Sequence, residues 1–203
     1  MKNKTITLEF LKTKDQSTGF LTWFKDKYGE KVCLKQLIAD LKTEDELDWL
    51  SQLLAYIFTK KQCVMYIVYA AELVLPIHEK KFPDSPAPRK AIEAAKNWLK
   101  NPCDETKQKA RKAADAAEAA AENTLGIAKL VSADVCAKAG WAVCKSRSSW
   151  TIAIWAIELA SEAFVEDALF VEDIAAYLSS INKFRKIIMK KITDYGIEML
   201  NID

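Results

Sequence analysis

The chain has 203 residues, half of them hydrophobic, with 30 Lys and Arg against 28 Asp and Glu and a formal net charge of +2. That length fits one large domain or two small ones and is enough to bury a sizeable core. The balanced charge gives no electrostatic footprint for DNA. Only five Gly and five Pro among many Ala, Leu, Lys and Glu point to an all-α protein.

Five cysteines (Cys33, Cys63, Cys103, Cys136 and Cys144) include no C-x-x-C pair. An odd, scattered set suits neither a disulfide framework nor a zinc site, and is expected to be buried free thiols in a reducing cytosol. The N-terminus, MKNKTITLEFLKTKD, has no apolar run followed by small residues, so no signal peptide is expected. The apolar stretches Val64–Ile77 and Trp150–Ala160 are short for a bilayer and are interrupted by Glu72 and Glu158. A soluble, cytoplasmic protein is the expectation.

In chain order, residues 5–13 alternate polar and apolar, which fits a short strand or a first helical turn. Ser17 to Tyr28 sets Phe20, Phe24 and Tyr28 on one helix face, with Leu21 and Trp23 alongside, and Gly29 stops that helix. Val32, Leu34, Leu37, Ile38 and Leu41 predict a short helix over 32–41. Thr43 and Glu46 fit a capping box opening the next helix, whose apolar face is Leu47, Leu50, Leu53, Leu54, Ile57 and Phe58, widened by Trp49 and ended near Thr59.

A central helix from near Gln62 to Ile77 is apolar almost all round, the pattern of a helix in the middle of a bundle. Pro76 predicts a kink near Ala71–Glu72 or an early end. Glu72 is then a buried carboxylate in need of a partner, with Arg89 or Lys90 across the turn as candidates. The run FPDSPAP, 82–88, is a loop, and Ser85-Pro86 can cap a helix reaching Leu99 and burying Ile92, Ala95 and Leu99. Asp104 is expected to cap the tract DETKQKARKAADAAEAAAEN, in which Ala110, Ala113, Ala114, Ala117 and Ala121 form a smooth face for close helix approach. Ser132 and Ser148 are the expected caps of helices over 132–145 and 148–165. Glu172 to Leu200 is one long or broken helix with Gly196 as a weak point.

The stretch YAAELVLPIHEKKFPDSPAPRKAIEAA, 69–95, resembles the alanine-rich putative immunity protein family of bacterial toxin–immunity loci and phage genomes. The matching positions are Ala71, Glu72, Val74 to Ile77, Glu79, Pro83, Asp84 and Pro88 to Ala94. GFLTWFKDKYGEKV and DELDWLSQLL look like the family's leading helices, so the resemblance is placed over 17–125. His78 stands where the family has an aromatic, Ala87 where Arg is common, and 141–203 departs from the alanine repeats.

Together these readings give a single all-α domain over 1–203, a bundle of about eight to ten helices in antiparallel hairpins. The resemblance implies a non-enzymatic protein that neutralises a toxin or defence effector by protein–protein contact, with no cofactor. No serine-elbow, Cys–His, metal-ligand or glycine-rich phosphate pattern argues for an enzyme. The alternative is a phage-type helical sponge for a small signalling nucleotide, with a pocket of Trp141, Trp150 and Trp155 and the C-terminal cations. Candidate binding residues are Glu72, His78, Arg89, Lys90, Trp150, Lys183, Arg185 and Lys186. Lys190 and Lys191 extend that basic group, and a homo-oligomer is compatible with the sequence. The bland reading of His78 is a surface residue, of Glu72 with Arg89 a structural pair, and of the C-terminal lysines a solvated face.

Overall fold

The computed structural model describes residues 4–14, 16–122, 127–144, 152–154, 156, 159–160 and 174–200. Residues 5–13 fulfil both local readings in succession. Strand β1 (Thr5–Thr7) gives way to helix α1 (Leu8–Lys12), capped by Thr7, whose Oγ1 accepts the Phe10 amide at 3.1 Å. Helix α2 (Thr18–Tyr28) is capped by Ser17 and ends at Gly29, whose φ of 70° is the left-handed geometry that glycine supplies at least cost. Strand β2 (Lys31–Cys33) then pairs antiparallel with β1, Ile6 opposite Val32. Val32 therefore lies in a ladder and not in the helix expected from 32; α3 runs Leu34–Thr43. Local periodicity could not reveal a strand whose partner lies at the start of the chain.

The expected capping box at Thr43 is also corrected. Thr43 belongs to α3, and its hydroxyl donates to the Ala39 carbonyl at 2.9 Å. The turn closes instead as a Schellman motif, with the Glu46 amide on the Leu41 carbonyl at 2.9 Å and Asp45 at φ 60°. Helix α4 (Leu47–Ile57) follows without a side-chain cap. A capping box does form one helix later. Thr59 Oγ1 accepts the Gln62 amide at 3.3 Å and Gln62 Oε1 accepts the Thr59 amide at 2.9 Å, opening α5 (Lys60–Lys81). Thr59 thus starts a helix where it was expected only to end one.

Helix α5 runs through Pro76 to Lys81, so the early end does not occur. Cys63, Val64, Tyr66, Ile67, Ala70, Ala71, Val74 and Ile77 are all buried, as a central helix requires. Helices α6 (Ala87–Lys100), α7 (Asp104–Glu122) and α8 (Ile127–Cys144) follow as consecutive hairpins. Each packs on the one before, and α8 returns to α5, closing a four-helix bundle. Within α6, Ile92 and Ala95 are buried as expected while Leu99 is only partly so. Asp104 is the first residue of α7 and not its cap, and Ser132 lies inside α8. The cap proposed at Ser148 lies outside the described residues. On the other flank of α5, the closing helix α9 (Ile174–Leu200) is continuous and packs on α4 and α5. The fold is all-α apart from the two short strands.

Two close approaches fix the helix spacing. A Cβ at Gly140 on α8 would stand 2.7 Å from the Ala110 carbonyl oxygen and 2.8 Å from the Ala114 Cβ on α7. The alanine face of α7, with Ala110, Ala114, Ala117 and Ala121 buried, is thus matched by the smallest residue opposite. A Cβ at Gly196 would stand 2.8 Å from the Tyr66 ring and 2.9 Å from Leu54 Cδ1. Gly196 is a point of contact between α9 and the α4–α5 pair, not a weak point in the helix.

Tyr66 packs edge-on against Phe58, and its buried hydroxyl has no protein hydrogen-bond partner among the described residues. Burial alone pushes its pKa well above the ordinary tyrosine value. Removing a desolvated hydroxyl while keeping the ring recovers about 1 kcal/mol. Tyr66→Phe is therefore expected to raise the melting temperature by roughly 2–4 °C in a calorimetric scan. A fall in the melting temperature would show that the hydroxyl is bonded.

Candidate functional site

The stretch that carries the resemblance builds the α5–α6 elbow. Arg89 donates to Glu79 through Nε at 2.5 Å and through a terminal nitrogen at 2.6 Å, a two-pronged clamp across the turn. The guanidinium holds the Glu79 carboxyl below the ordinary carboxylate range. Being depressed, that group contributes stability above the usual Glu pKa and loses it as the pH falls through its folded value. Glu72 is not the buried carboxylate expected. It is exposed and pairs with Lys96 one helix over, while Arg89 is committed to Glu79. Lys90 is exposed on α6. These pairs orient the elbow more than they stabilise it, since exposed ion pairs are worth about 0–1 kcal/mol.

His78 is the second correction here. It is fully buried and faces Phe82 with ring centroids 5.4 Å apart. The buried imidazole packs on that ring as part of the interior. No group of three or more His, Cys, Asp or Glu among the described residues is arranged to hold a metal.

The basic group on α9 divides into tethered and free members. Arg185 donates to Asp48 at 3.0 Å, Lys186 pairs with Asp45, and Asp194 receives Lys42 at 2.6 Å. Three ion pairs thus fasten α9 to the α3–α4 turn, and two of the candidate cations are used inside the molecule. Lys183, Lys190 and Lys191 are exposed and form no ion pair among the described residues. Between them stands Ile187, 42 % exposed, the large apolar side chain that the described surface leaves in water. It was missed because the Ile187–Ile188 doublet reads as core, yet only Ile188 falls on the buried set with Met189, Ile192 and Met199. The doublet was the available signal, since a helix turns neighbouring positions about 100° apart.

Trp141 is partly buried on α8, and its indole nitrogen donates to Glu118 at 3.2 Å. Trp150 and Trp155 lie outside the described residues. The cysteines are more varied than expected: Cys63 and Cys136 are buried, Cys144 is partly so, and Cys33 and Cys103 are exposed. Burial pushes the Cys63 thiol up to about 12, while hydrogen bonds from Thr106 lower that of Cys103.

A model of the Imm-5 like putative immunity protein family matches residues 56–166, just over half of the chain. The chain belongs to this family. The match starts at the end of α4, so the leading helices over 17–55 lie outside it, and it runs past 125 into a stretch expected to diverge. The whole four-helix bundle α5–α8 falls within the Imm-5 like segment. The elbow clamp Arg89–Glu79 and the alanine face of α7 lie inside the matched segment, whereas the basic face of α9 lies outside it. No curated protein and no solved structure matches the chain. No helix among the described residues is long and apolar enough to cross a membrane.

Proposed function

We propose that this chain is a non-enzymatic protein that neutralises a toxin or defence effector by direct contact. Membership of an immunity-protein family carries the reading. The contact surface is the free face of α9, where Ile187 stands among Lys183, Lys190 and Lys191. An apolar anchor ringed by cations suits an acidic partner with an apolar recess, the anchor supplying affinity and the lysines the rate of encounter.

The test is growth rescue. Bacterial toxins are expressed singly in a sensitive host, with and without this chain, and rescued pairs are run on a sizing column. Rescue by a stoichiometric complex, lost in the Ile187→Asp, Lys190→Glu double variant, is the expected result. Rescue that survives this variant would remove α9 from the contact. A chain that rescues without forming a complex would overturn neutralisation by contact.

A further inference from the structure

A second cationic feature lies within the family segment. Asp104, Lys107, Gln108 and Arg111 of α7 and Cys144 at the end of α8 line a cavity of about 280 Å³. Lys107 and Arg111 are one helical turn apart and so share a face. The Cys144 Sγ lies 3.5 Å from both the Lys107 and the Gly140 carbonyl oxygens, so its single S–H is shared between α7 and α8. Lys60, at the start of α5, is the third cation. Its ammonium rests over the Trp98 ring, 5.4 Å from the centroid. Burial lowers the pKa of Lys60, with the repulsion of Lys107 adding to it, and burial raises that of the Cys144 thiol against the opposing pull of Lys107, Arg111 and Lys60.

None of these three cations forms an ion pair among the described residues, although six other lysines and both Arg89 and Arg185 do. Asp104 stands on the rim and Asp115 one turn beyond Arg111, neither within salt-bridge distance. Like charges brought together around a cleft raise the energy of the empty site and favour an anion within it. Arg111 offers a planar fork for two oxygens, Lys60 and Lys107 offer point charges, and Gln108 adds an amide donor. The volume is close to the lower end of small-ligand sites.

We propose that the cleft lined by Asp104, Lys107, Gln108, Arg111 and Cys144 is a binding site for a phosphate-bearing small molecule. A phosphate group sits between Arg111 and Lys107, with Lys60 adding its charge from nearby, and Asp104 accepts a hydrogen bond from a hydroxyl or amine on the rest of the ligand. The site is separate from the α9 face, so it adds a ligand to the proposed protein contact and does not depend on it.

The probe is inorganic pyrophosphate, titrated calorimetrically into the full chain at fixed ionic strength. Saturable one-to-one binding is expected, weakened at least tenfold in Arg111→Gln and in Lys107→Gln. Lys109→Gln, which removes a cation already paired with Glu105 outside the cleft, is expected to bind as the parent does. Pyrophosphate is also expected to slow alkylation of Cys144 several-fold and to leave exposed Cys33 unchanged. Absence of saturation, or equal binding by the Arg111→Gln and Lys109→Gln variants, overturns the site. Saturation by an acidic peptide with no response to pyrophosphate also overturns it, since the cleft would then read protein carboxylates.

Discussion

Gly140→Val is expected to destabilise the protein by about 3 kcal/mol, the upper part of the range for overpacking a filled interior. The obstacle is the Ala110 carbonyl oxygen, 2.7 Å from where a Cβ would stand, with the Ala114 Cβ at 2.8 Å. A flexible side chain could swing aside, but a backbone carbonyl inside α7 cannot without loosening its helical bond. The two helices must separate, and every alanine contact along the seam lengthens with them. Valine also adds two methyl groups that have no space to occupy. Gly140→Ala meets the same carbonyl with less bulk, and the better helix propensity of alanine offsets about 1 kcal/mol of its cost. Thermal unfolding should show a drop of roughly 6–12 °C for the valine variant and a smaller one for alanine. A valine variant that melts with the parent would mean that α7 and α8 are further apart than the alanine seam indicates.

Phe20→Ala is expected to cost about 4 kcal/mol, in the range for removing a fully enclosed aromatic ring. Phe20 has no exposed surface and lies among three other rings: Trp49 at 5.2 Å, Trp23 at 5.9 Å and Phe24 at 6.4 Å between centroids. Deleting it leaves a cavity bounded by two indoles that cannot collapse into it, because Trp23 is held by its donation to Glu44 at 2.7 Å. Phe20→Leu refills most of the volume and should lose only about 1.5 kcal/mol. Chemical denaturation followed by tryptophan fluorescence measures both, and the near-ultraviolet dichroism of the alanine variant should fall as the indoles lose their fixed neighbours. Equal losses for leucine and alanine would show that the ring is not the keystone of this cluster.

The parts of the fold that follow a helical period were legible in the sequence. Phe20 and Phe24, the α4 leucines, the all-round apolar α5 and the alanine face of α7 lie where their spacing places them. Errors fall where the deciding contact is remote in sequence or where one side chain has two local choices. Val32 pairs with Ile6, Thr43 bonds back into its own helix, and Gln62 instead of Glu46 completes a capping box. The candidate residues divide in the same way. Glu72 was expected to meet Arg89 or Lys90, but Arg89 goes to Glu79, two turns further along α5, and Glu72 takes Lys96 instead. His78 beside lysines read as a surface residue, yet the helix turns it inward onto Phe82. The cleft of Lys107, Arg111 and Cys144 joins the start of α7 to the end of α8, and no local pattern announces it.

The position of α9 has a consequence for how the chain is made. Asp48 and Arg185 are 137 residues apart, and the Tyr69–Tyr195 stack at 4.1 Å joins the same two regions. At about 5–20 residues per second, the ribosome needs roughly 7–27 s between the two ends of that contact. Helices α3, α6 and α8 can cover their own sides of the nascent α4–α5 pair before α9 is made, but the side of Leu54, Phe58 and Tyr66 waits in water for Gly196 to arrive.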